Sequence, residues 1–260
     1  MENLLKKNLS NGKRAVGTFF EIGSVSAIEG LSYTGLDFVI IDSEHGPFGI
    51  ESNMDFIRAA ELKGLTPLVR INEISRSAVL KNLDIGAKGL VIPCVETVDQ
   101  VKNIIQWGKY SPIGQRGFFT ARPTGFGFEE FSKDIKTLFD ISNSQTLLIP
   151  QCETLGCLEH IEEITSLEGV DGIFIGPYDL SISMGIPGEF NNEKFTNAIN
   201  RILKACKDNG KLSFMFTMDP QKANDFFDKG FDCVTVGMDI SIYINAIKSM
   251  INDIHKNGGK

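Results

Sequence analysis

A group of charged residues directly follows an apolar run near residue 40 of this 260-residue chain. Residues 38–41 are uninterrupted and apolar, which is typical of a parallel strand that is covered on both faces. Asp42, Glu44 and His45 come next. A histidine titrates near neutral pH, and an aspartate three residues earlier can orient its imidazole. The spacing therefore indicates a general base, with a polar loop and helix cap as the alternative.

Charged or amide side chains also end three later apolar runs. Arg70 ends one run, Gln151 and Glu153 end another, and Asp179 follows a third. Gln151 and Glu153 are two residues apart, so they point to the same side of a strand. Glu153 and Asp179 offer oxygen ligands for a hard divalent cation such as Mg²⁺ or Mn²⁺, with no cysteine or further histidine expected nearby. Each carboxylate could instead cap the helix that follows it.

Two features of these strand ends suit an anionic group. The guanidinium of Arg70 presents a planar fork of donors that fits a carboxylate or a developing oxyanion. Backbone N–H groups at residues 177–179 could hold a substrate carboxylate where the chain enters a helical turn. For Arg70 the alternative to a functional role is an ion pair with Glu73 or another acid at this edge.

The positions of the lysines disfavour Schiff-base chemistry. Lys88 and Lys211 precede their apolar runs, at the end opposite the carboxylates, whereas a Schiff base needs a lysine beside the substrate. The sequence also contains no G-x-S-x-G turn and no Walker-type phosphate loop. A bound metal is therefore the favoured electron sink.

Eight apolar runs rich in β-branched and aromatic residues predict strands at residues 15–20, 38–41, 67–71, 89–93, 146–151, 172–175, 212–216 and 233–237. Amphipathic stretches predict helices at residues 24–33, 50–63, 75–83, 98–109, 155–167, 194–209, 220–229 and 240–255. Eight regular β-α units in a chain of this length favour a (β/α)8 barrel, with a doubly wound sheet as the alternative. In a barrel, the ends of all eight strands meet at one rim, which would bring the charged residues together.

Residues 108–127 are the irregular part of the chain. They contain Arg116, Arg122, five glycines and the pair Phe118 and Phe119. A loop of this length between two strands is unusual, and we interpret it as a lid or a subunit contact.

Composition narrows the class of protein. A net charge of −7 and a pI near 5.1 argue against binding to nucleic acid or to an anionic membrane surface, since either requires a clustered basic face. The N-terminal residues lack the apolar core of a signal peptide, and no apolar run approaches a membrane span, so a cytoplasmic protein is expected. Five cysteines without a C-x-x-C pair predict reduced, mostly buried thiols.

Four sequence blocks carry a resemblance to a known family. They are DSEHGP at 42–47, LVR at 68–70, PQCET at 150–154 and VDGIFIGPYDLS at 170–181. In order and spacing they resemble the HpcH/HpaI family of metal-dependent pyruvate aldolases. The resemblance implies a single (β/α)8 TIM barrel over residues 1–260, of the phosphoenolpyruvate/pyruvate superfamily type. It implies reversible cleavage of 4-hydroxy-2-oxo acids to pyruvate and an aldehyde through a metal-stabilised pyruvate enolate.

The same resemblance implies roles for the residues at one end of the barrel. His45 would be the base that removes the 4-hydroxyl proton, supported by Asp42 and by Asp84, and Arg70 would stabilise the enolate. The metal ligands and pocket residues follow from the same blocks: Glu153 and Asp179 would bind Mg²⁺, Mn²⁺ or Co²⁺, and Gln151 and the backbone at Tyr178 would line the pyruvate pocket.

The resemblance further implies a homohexamer in which the last helix, at about 240–255, is exchanged between subunits. Two departures from the family pattern, Phe118-Phe119 and Tyr178, would crowd the aldehyde side of the pocket. The alternatives are a lyase acting on acyl-CoA esters of citramalyl or malyl type and a non-catalytic barrel that binds a 2-oxo acid.

Overall fold

The strands form a closed, all-parallel barrel. The structure is a computed structural model that describes residues 2–257 of the chain. The strands are β1 (Ala15–Phe20), β2 (Phe38–Asp42), β3 (Thr66–Arg70), β4 (Gly89–Ile92), β5 (Leu147–Cys152), β6 (Gly172–Ile175), β7 (Leu212–Thr217) and β8 (Cys233–Met238). They pair in chain order, and β8 pairs with β1 to close the ring. The predicted (β/α)8 TIM barrel is therefore confirmed, and the open doubly wound sheet is excluded.

Helices surround the barrel. They are α1 (Leu4–Ser10), α2 (Val25–Leu31), α3 (Ile50–Glu61), α4 (Arg76–Asp84), α5 (Val98–Gly108), α6 (Ile135–Gln145), α7 (Leu155–Glu159), α8 (Ile161–Ser166), α9 (Pro177–Ser183), α10 (Glu193–Asp208), α11 (Pro220–Lys229) and α12 (Asp239–Asn257). The sequence reading missed α1, α6 and α9. It also merged α7 and α8, which are separate because the backbone leaves the helical region at His160.

The apolar strands are covered on both faces. Phe38 and Ile40 of β2 belong to a cluster inside the barrel, whereas Val39 and Ile41 pack outward against the helices. This placement explains why β2 has no polar alternation. Gly17 on β1 makes room for the interior Phe38, since a Cβ at Gly17 would lie 2.3 Å from that ring.

Helix α1 packs at the N-terminal end of the barrel. Leu5 is fully buried in the interior cluster, and its backbone N–H donates to Thr66 Oγ1 at the start of β3. Burial of the apolar Leu5 side chain at this position stabilises the N-terminal end of the barrel. The opposite end, where the strands finish, carries the candidate site.

The irregular segment after α5 lies at the N-terminal end of the barrel. Arg116 forms an ion pair of 2.8 Å with Asp84 at the end of α4, and Arg122 pairs with Glu61 at the end of α3. The interpretation of this segment as a lid over the site of its own chain is therefore wrong. The physical reason is connectivity: the segment lies in the connection that runs from helix α5 to the start of strand β5, so it belongs to the end of the barrel where strands begin.

Helix α12 leaves many apolar side chains exposed. They are Ile242, Tyr243, Ile244, Ile247, Met250, Ile251 and Ile254. None of the helices within residues 2–257 combines the length and the apolar character needed to cross a membrane.

Candidate active site

Asp42 and Arg70 form a buried, two-pronged ion pair at the ends of neighbouring strands. The register of β2 and β3 places the two residues side by side. Arg70 Nε donates to Asp42 Oδ1 at 2.9 Å, and Arg70 Nη2 donates to Asp42 Oδ2 at 2.6 Å. Such paired bonds fix the plane of the guanidinium as well as its position. The alternative pairing of Arg70 with Glu73 is not the observed one, because Glu73 instead accepts a hydrogen bond from Ser75.

Arg70 remains charged in this position. Burial opposes the charged form, but the hydrogen bonds and charge of Asp42, aided by Glu44 and Glu153, outweigh it and raise the pKa of the guanidinium. Its third nitrogen, Nη1, lies 3.1 Å from Glu44 Oε2. The guanidinium also lies 4.6 Å above the Phe19 ring of β1, which supports it from below. Arg70 thus provides a fixed positive charge at the centre of the rim.

Asp42 holds His45 through the backbone of the turn. Asp42 Oδ1 accepts hydrogen bonds from the backbone N–H groups of Glu44 at 3.0 Å and His45 at 3.4 Å. The imidazole itself is 70% exposed, and its Nε2 lies 4.0 Å from Glu44 Oε2. The sequence reading had Asp42 orienting the imidazole, whereas its carboxylate binds Arg70 and the turn. The reason is that a buried guanidinium on the adjacent strand is a stronger partner than an exposed ring.

Glu153 is a buried carboxylate in a cluster of negative charge. Its Oε1 accepts the backbone N–H of Cys94 at 2.7 Å, and its Oε2 accepts from the Gln151 side-chain amide. Burial raises its pKa to about 6; the nearby charges of Glu44 and Asp179 act in the same direction, and the two hydrogen bonds oppose them. A cation placed among these carboxylates would favour their ionised forms.

The surroundings of Glu153 fit a divalent cation. Gln151 is almost fully buried, and its Oε1 has no hydrogen-bond partner within the described part of the chain. Gly176, which precedes α9, leaves space beside both residues, since a Cβ there would lie 2.7 Å from Glu153 Oε2. Asp179, in the first turn of α9, acts electrostatically on Glu153 from the same rim. Glu153 and Asp179 would hold the ion, and Gln151 offers a further oxygen.

Cys94 lies within this cluster, which the sequence did not indicate. Its Sγ is 3.7 Å from Glu44 Oε1, and ligand atoms of Glu44, Cys94 and Glu153 all lie within 4.8 Å of one another. Partial burial, followed by the charges of Glu153, Glu44 and Asp179, raises the pKa of the thiol to about 11. The expectation that no cysteine lies near the carboxylates is therefore wrong. Cys94 lies two residues beyond β4, and the pairing of β4 with β5 brings it beside Glu153.

Glu21 is a further rim residue that the sequence reading missed. It follows β1, and burial raises its pKa, with the charges of Asp42 and Asp239 adding to the effect and those of Arg70 and His45 opposing it. Asp239, after β8, fixes the segment because its carboxylate accepts the backbone N–H groups of Glu21 and Ile22. The available signal was an acid directly after an apolar strand, as at Asp42.

Comparison with known proteins agrees with this arrangement. The sequence model of the HpcH/HpaI aldolase/citrate lyase family matches residues 16–246 of the chain. The chain belongs to this family. The predicted family and its enzymatic class, a carbon–carbon lyase, are thereby confirmed.

Individual relatives share most of their length with this HpcH/HpaI chain. It is 32% identical to a hydroxypyruvate/pyruvate aldolase of Roseobacter denitrificans, over 95% of each chain. It is 29% identical to a 2-keto-3-deoxy-L-rhamnonate aldolase of Klebsiella pneumoniae, over 95% of this chain and 91% of the relative. The solved structure of an HpcH/HpaI aldolase from Desulfitobacterium hafniense superposes with a TM-score of 0.89 at 27% identity, covering 97% and 96% of the two chains.

Tyr178 lies at the rim of this HpcH/HpaI barrel. It is the second residue of α9 and is 46% exposed. Its ring packs edge-on against Phe190 at 5.0 Å and tilts toward Phe216 at 6.5 Å. The structure therefore brings Tyr178 to the same end of the barrel as Gln151, as predicted from the sequence order.

Asp84 and the two phenylalanines are placed elsewhere. Asp84 ends α4 and pairs with Arg116 at the N-terminal end of the barrel, opposite His45. Phe118 packs against Phe139 of α6 at 5.9 Å, in the same lower region. Within one chain, then, Asp84 does not support His45, and Phe118 and Phe119 do not crowd the aldehyde side of the site.

Proposed function

We propose that this HpcH/HpaI chain is a divalent-metal-dependent aldolase that reversibly cleaves 4-hydroxy-2-oxo acids to pyruvate and an aldehyde. The observation that carries the proposal is the rim cluster, in which the fixed Arg70–Asp42 pair lies beside the buried carboxylate of Glu153. The two relatives described above are both named aldolases, and one is named a pyruvate aldolase. These names support the same reaction class.

Each residue has a role that follows from its position. A divalent cation on Glu153 and Asp179 would draw negative charge onto the 2-oxo group of the substrate. Arg70, fixed and charged, donates hydrogen bonds to the oxygen on which charge develops, so it favours the transition state over the ground state. Gln151 and the backbone at Tyr178 position the pyruvate portion.

His45 suits the role of base. Its imidazole is exposed at the open end of the barrel, where the 4-hydroxyl of a substrate can approach from solvent. The turn that carries it is held by Asp42, which also fixes Arg70. The residue that removes the proton and the residue that stabilises the enolate are thus both held in place by the carboxylate of Asp42.

The direct test is pyruvate release from 4-hydroxy-2-oxo acids, measured by coupling to lactate dehydrogenase with and without EDTA. We expect release that EDTA abolishes and that Mg²⁺, Mn²⁺ or Co²⁺ restores. Cleavage that persists in EDTA would refute the metal-dependent mechanism. A screen of aldehydes with pyruvate as donor then defines the substrate range.

A second candidate is a lyase acting on acyl-CoA esters of citramalyl or malyl type. A cavity of about 290 Å³ between α10 and α11 adjoins Tyr178, which leaves room beside the rim for part of a larger substrate; its charged lining residues are Lys222, Lys229, Asp219 and Asp225. Cleavage of citramalyl-CoA in preference to free 4-hydroxy-2-oxo acids would favour this candidate. A non-catalytic barrel that binds a 2-oxo acid would bind pyruvate without decarboxylating oxaloacetate.

We further propose a homohexamer in which α12 is exchanged between subunits of the single-domain chain, residues 1–260. The support is the set of apolar side chains that α12 exposes. A second subunit is also the means by which Asp84, Phe118 and Phe119 could reach a site, because all three lie at the far end of their own barrel. Mass measurement by light scattering tests the assembly.

A cytoplasmic location is also proposed. Its support is the cysteine chemistry: the five cysteines are free, and four of them are buried. Free thiols are typical of a reducing compartment. Cell fractionation tests the location.

A further inference from the structure

The thiol of Cys94 is held beside the proposed metal ligands by the backbone. Cys94 has φ of 54°, in the left-handed region that residues other than glycine rarely adopt. In this conformation its backbone N–H donates to Glu153 Oε1 at 2.7 Å. Cys94 is therefore tied directly to a carboxylate of the site.

The side chains around the thiol leave ligand atoms available. Arg70 Nη1 lies beside Glu44 Oε2, while the other oxygen, Oε1, lies 3.7 Å from Cys94 Sγ. Ligand atoms of Glu44, Cys94 and Glu153 lie within 4.8 Å of one another. Metal–oxygen and metal–sulfur bonds of about 2.0–2.3 Å place two ligands on one ion roughly 3–4 Å apart, so small side-chain movements complete the set.

A buried polar atom beside this set points to a ligand. Gln151 is 2% exposed, and its Oε1 finds no partner among the residues that the structure describes. Its amide nitrogen donates to Glu153 Oε2, so the end of this side chain lies against one of the three residues. An orphaned oxygen in this position is satisfied by a cation or by a water bound to one.

We propose that Cys94, Glu44 and Glu153 form a second, softer metal-binding mode of this site that takes Zn²⁺. This inference rests on the proposed metal-dependent function. Hard ions such as Mg²⁺ use the oxygen ligands Glu153 and Asp179, whereas Zn²⁺ gains a sulfur ligand. The thiol proton leaves to solvent as the zinc–sulfur bond forms, with no change in oxidation state.

The consequence is competition between two metals for Glu153. Zinc bound through Cys94 Sγ and Glu44 Oε1 also engages the carboxylate of Glu153 that the hard ion needs. Free Zn²⁺ therefore inhibits the proposed aldolase, and the thiol sets the concentration at which it does so.

Cobalt is the spectroscopic probe of the sulfur ligand. Co²⁺ added to the metal-free full-length protein should give visible d–d bands together with a near-ultraviolet thiolate-to-cobalt charge-transfer band. Cys94→Ser should keep the d–d bands and lose the charge-transfer band, and Glu153→Gln should lose both. Since the other four cysteines are buried, the band reports on Cys94.

Calorimetry gives the matching affinities. Loss of one metal-site partner weakens binding by about 10–100-fold. Cys94→Ser should therefore weaken Zn²⁺ binding by at least about tenfold and change Mg²⁺ binding little.

The outcomes separate this inference from the proposed function. Cobalt d–d bands without a charge-transfer band in the wild-type protein would overturn the thiol ligand and leave the aldolase proposal standing. A charge-transfer band of equal strength in Cys94→Ser would also overturn it. Absence of any cobalt binding would overturn both the thiol ligand and the metal dependence of the proposed reaction.

Discussion

At the scale of single residues, Asp42 is the group on which the candidate site depends. One buried carboxylate binds two nitrogens of Arg70 and two backbone N–H groups of the turn that carries His45. Removing one member of a buried ion pair leaves an uncompensated charge and is strongly destabilising. The charge of Arg70 and the position of His45 are therefore set together.

His45→Ala should remove aldol cleavage while leaving metal binding intact. A positioned base contributes about 10²–10⁴-fold, so pyruvate release should fall by that factor. Its matched control is His160→Ala, at the exposed junction of α7 and α8, which should keep the wild-type rate. Full activity in His45→Ala would refute its role as the base. Calorimetry with Mn²⁺ checks the metal site in the same variant.

Glu153 should make the stability of the metal-free protein depend on pH. Its pKa is raised from the usual 4.5 to about 6, so its stabilising contribution is full below about pH 4.5 and is lost as pH rises through about 6. Glu153→Gln should therefore stabilise the metal-free fold at about pH 7.5 by up to about 2 kcal/mol, and the gain should shrink toward pH 5. Urea unfolding measures both. Mg²⁺ should stabilise the wild-type protein and not this variant; a gain independent of pH would contradict the assignment.

At the scale of elements, the barrel interior depends on the match between neighbouring strands. Phe38 of β2 fills the space that Gly17 of β1 leaves, and it contacts Phe214 of β7 edge-on at 5.8 Å. The interior cluster is then continuous from β1 to β7. This packing fixes the strand register, and the register places Asp42 beside Arg70.

Gly17→Ala should destabilise the fold by about 1–3 kcal/mol, because the new Cβ overlaps the Phe38 ring. The control is Gly30→Ala in α2, where a Cβ meets nothing within 4 Å and helix propensity improves. Chemical denaturation compares the two variants. Equal stability of Gly17→Ala and the wild-type protein would show that Phe38 can move aside. Phe38→Leu replaces the ring by a smaller aliphatic side chain and should partly rescue Gly17→Ala.

At the scale of the whole molecule, α12 is the helix whose apolar side chains remain exposed within one chain. Its apolar side chains recur at helical spacing along one side, as Tyr243, Ile247, Met250 and Ile254. An exposed apolar surface of this kind marks a site of association. In the proposed hexamer, a second copy of the chain covers this apolar surface.

Ile247→Asp should therefore reduce the assembled mass, because a charge enters the apolar side of α12. Light scattering after gel filtration measures the change. Ser249→Asp is the matched control, since helical spacing puts residue 249 on the polar side. An unchanged mass in Ile247→Asp would remove α12 from the subunit contact.

The sequence by itself determined the barrel and most of its rim. All eight strands were predicted to within two residues, because strands covered on both faces are continuous apolar runs with charged residues at their ends. Local order also placed His45, Arg70, Glu153 and Asp179 at one end, since parallel strands share a direction. Only the tertiary structure decided that Asp42 binds Arg70, that Cys94 joins Glu153, and that Asp84 and Phe118 lie at the far end. The first two contacts join residues distant in the chain, and the pairing and register of neighbouring strands, which no local pattern specifies, bring them together.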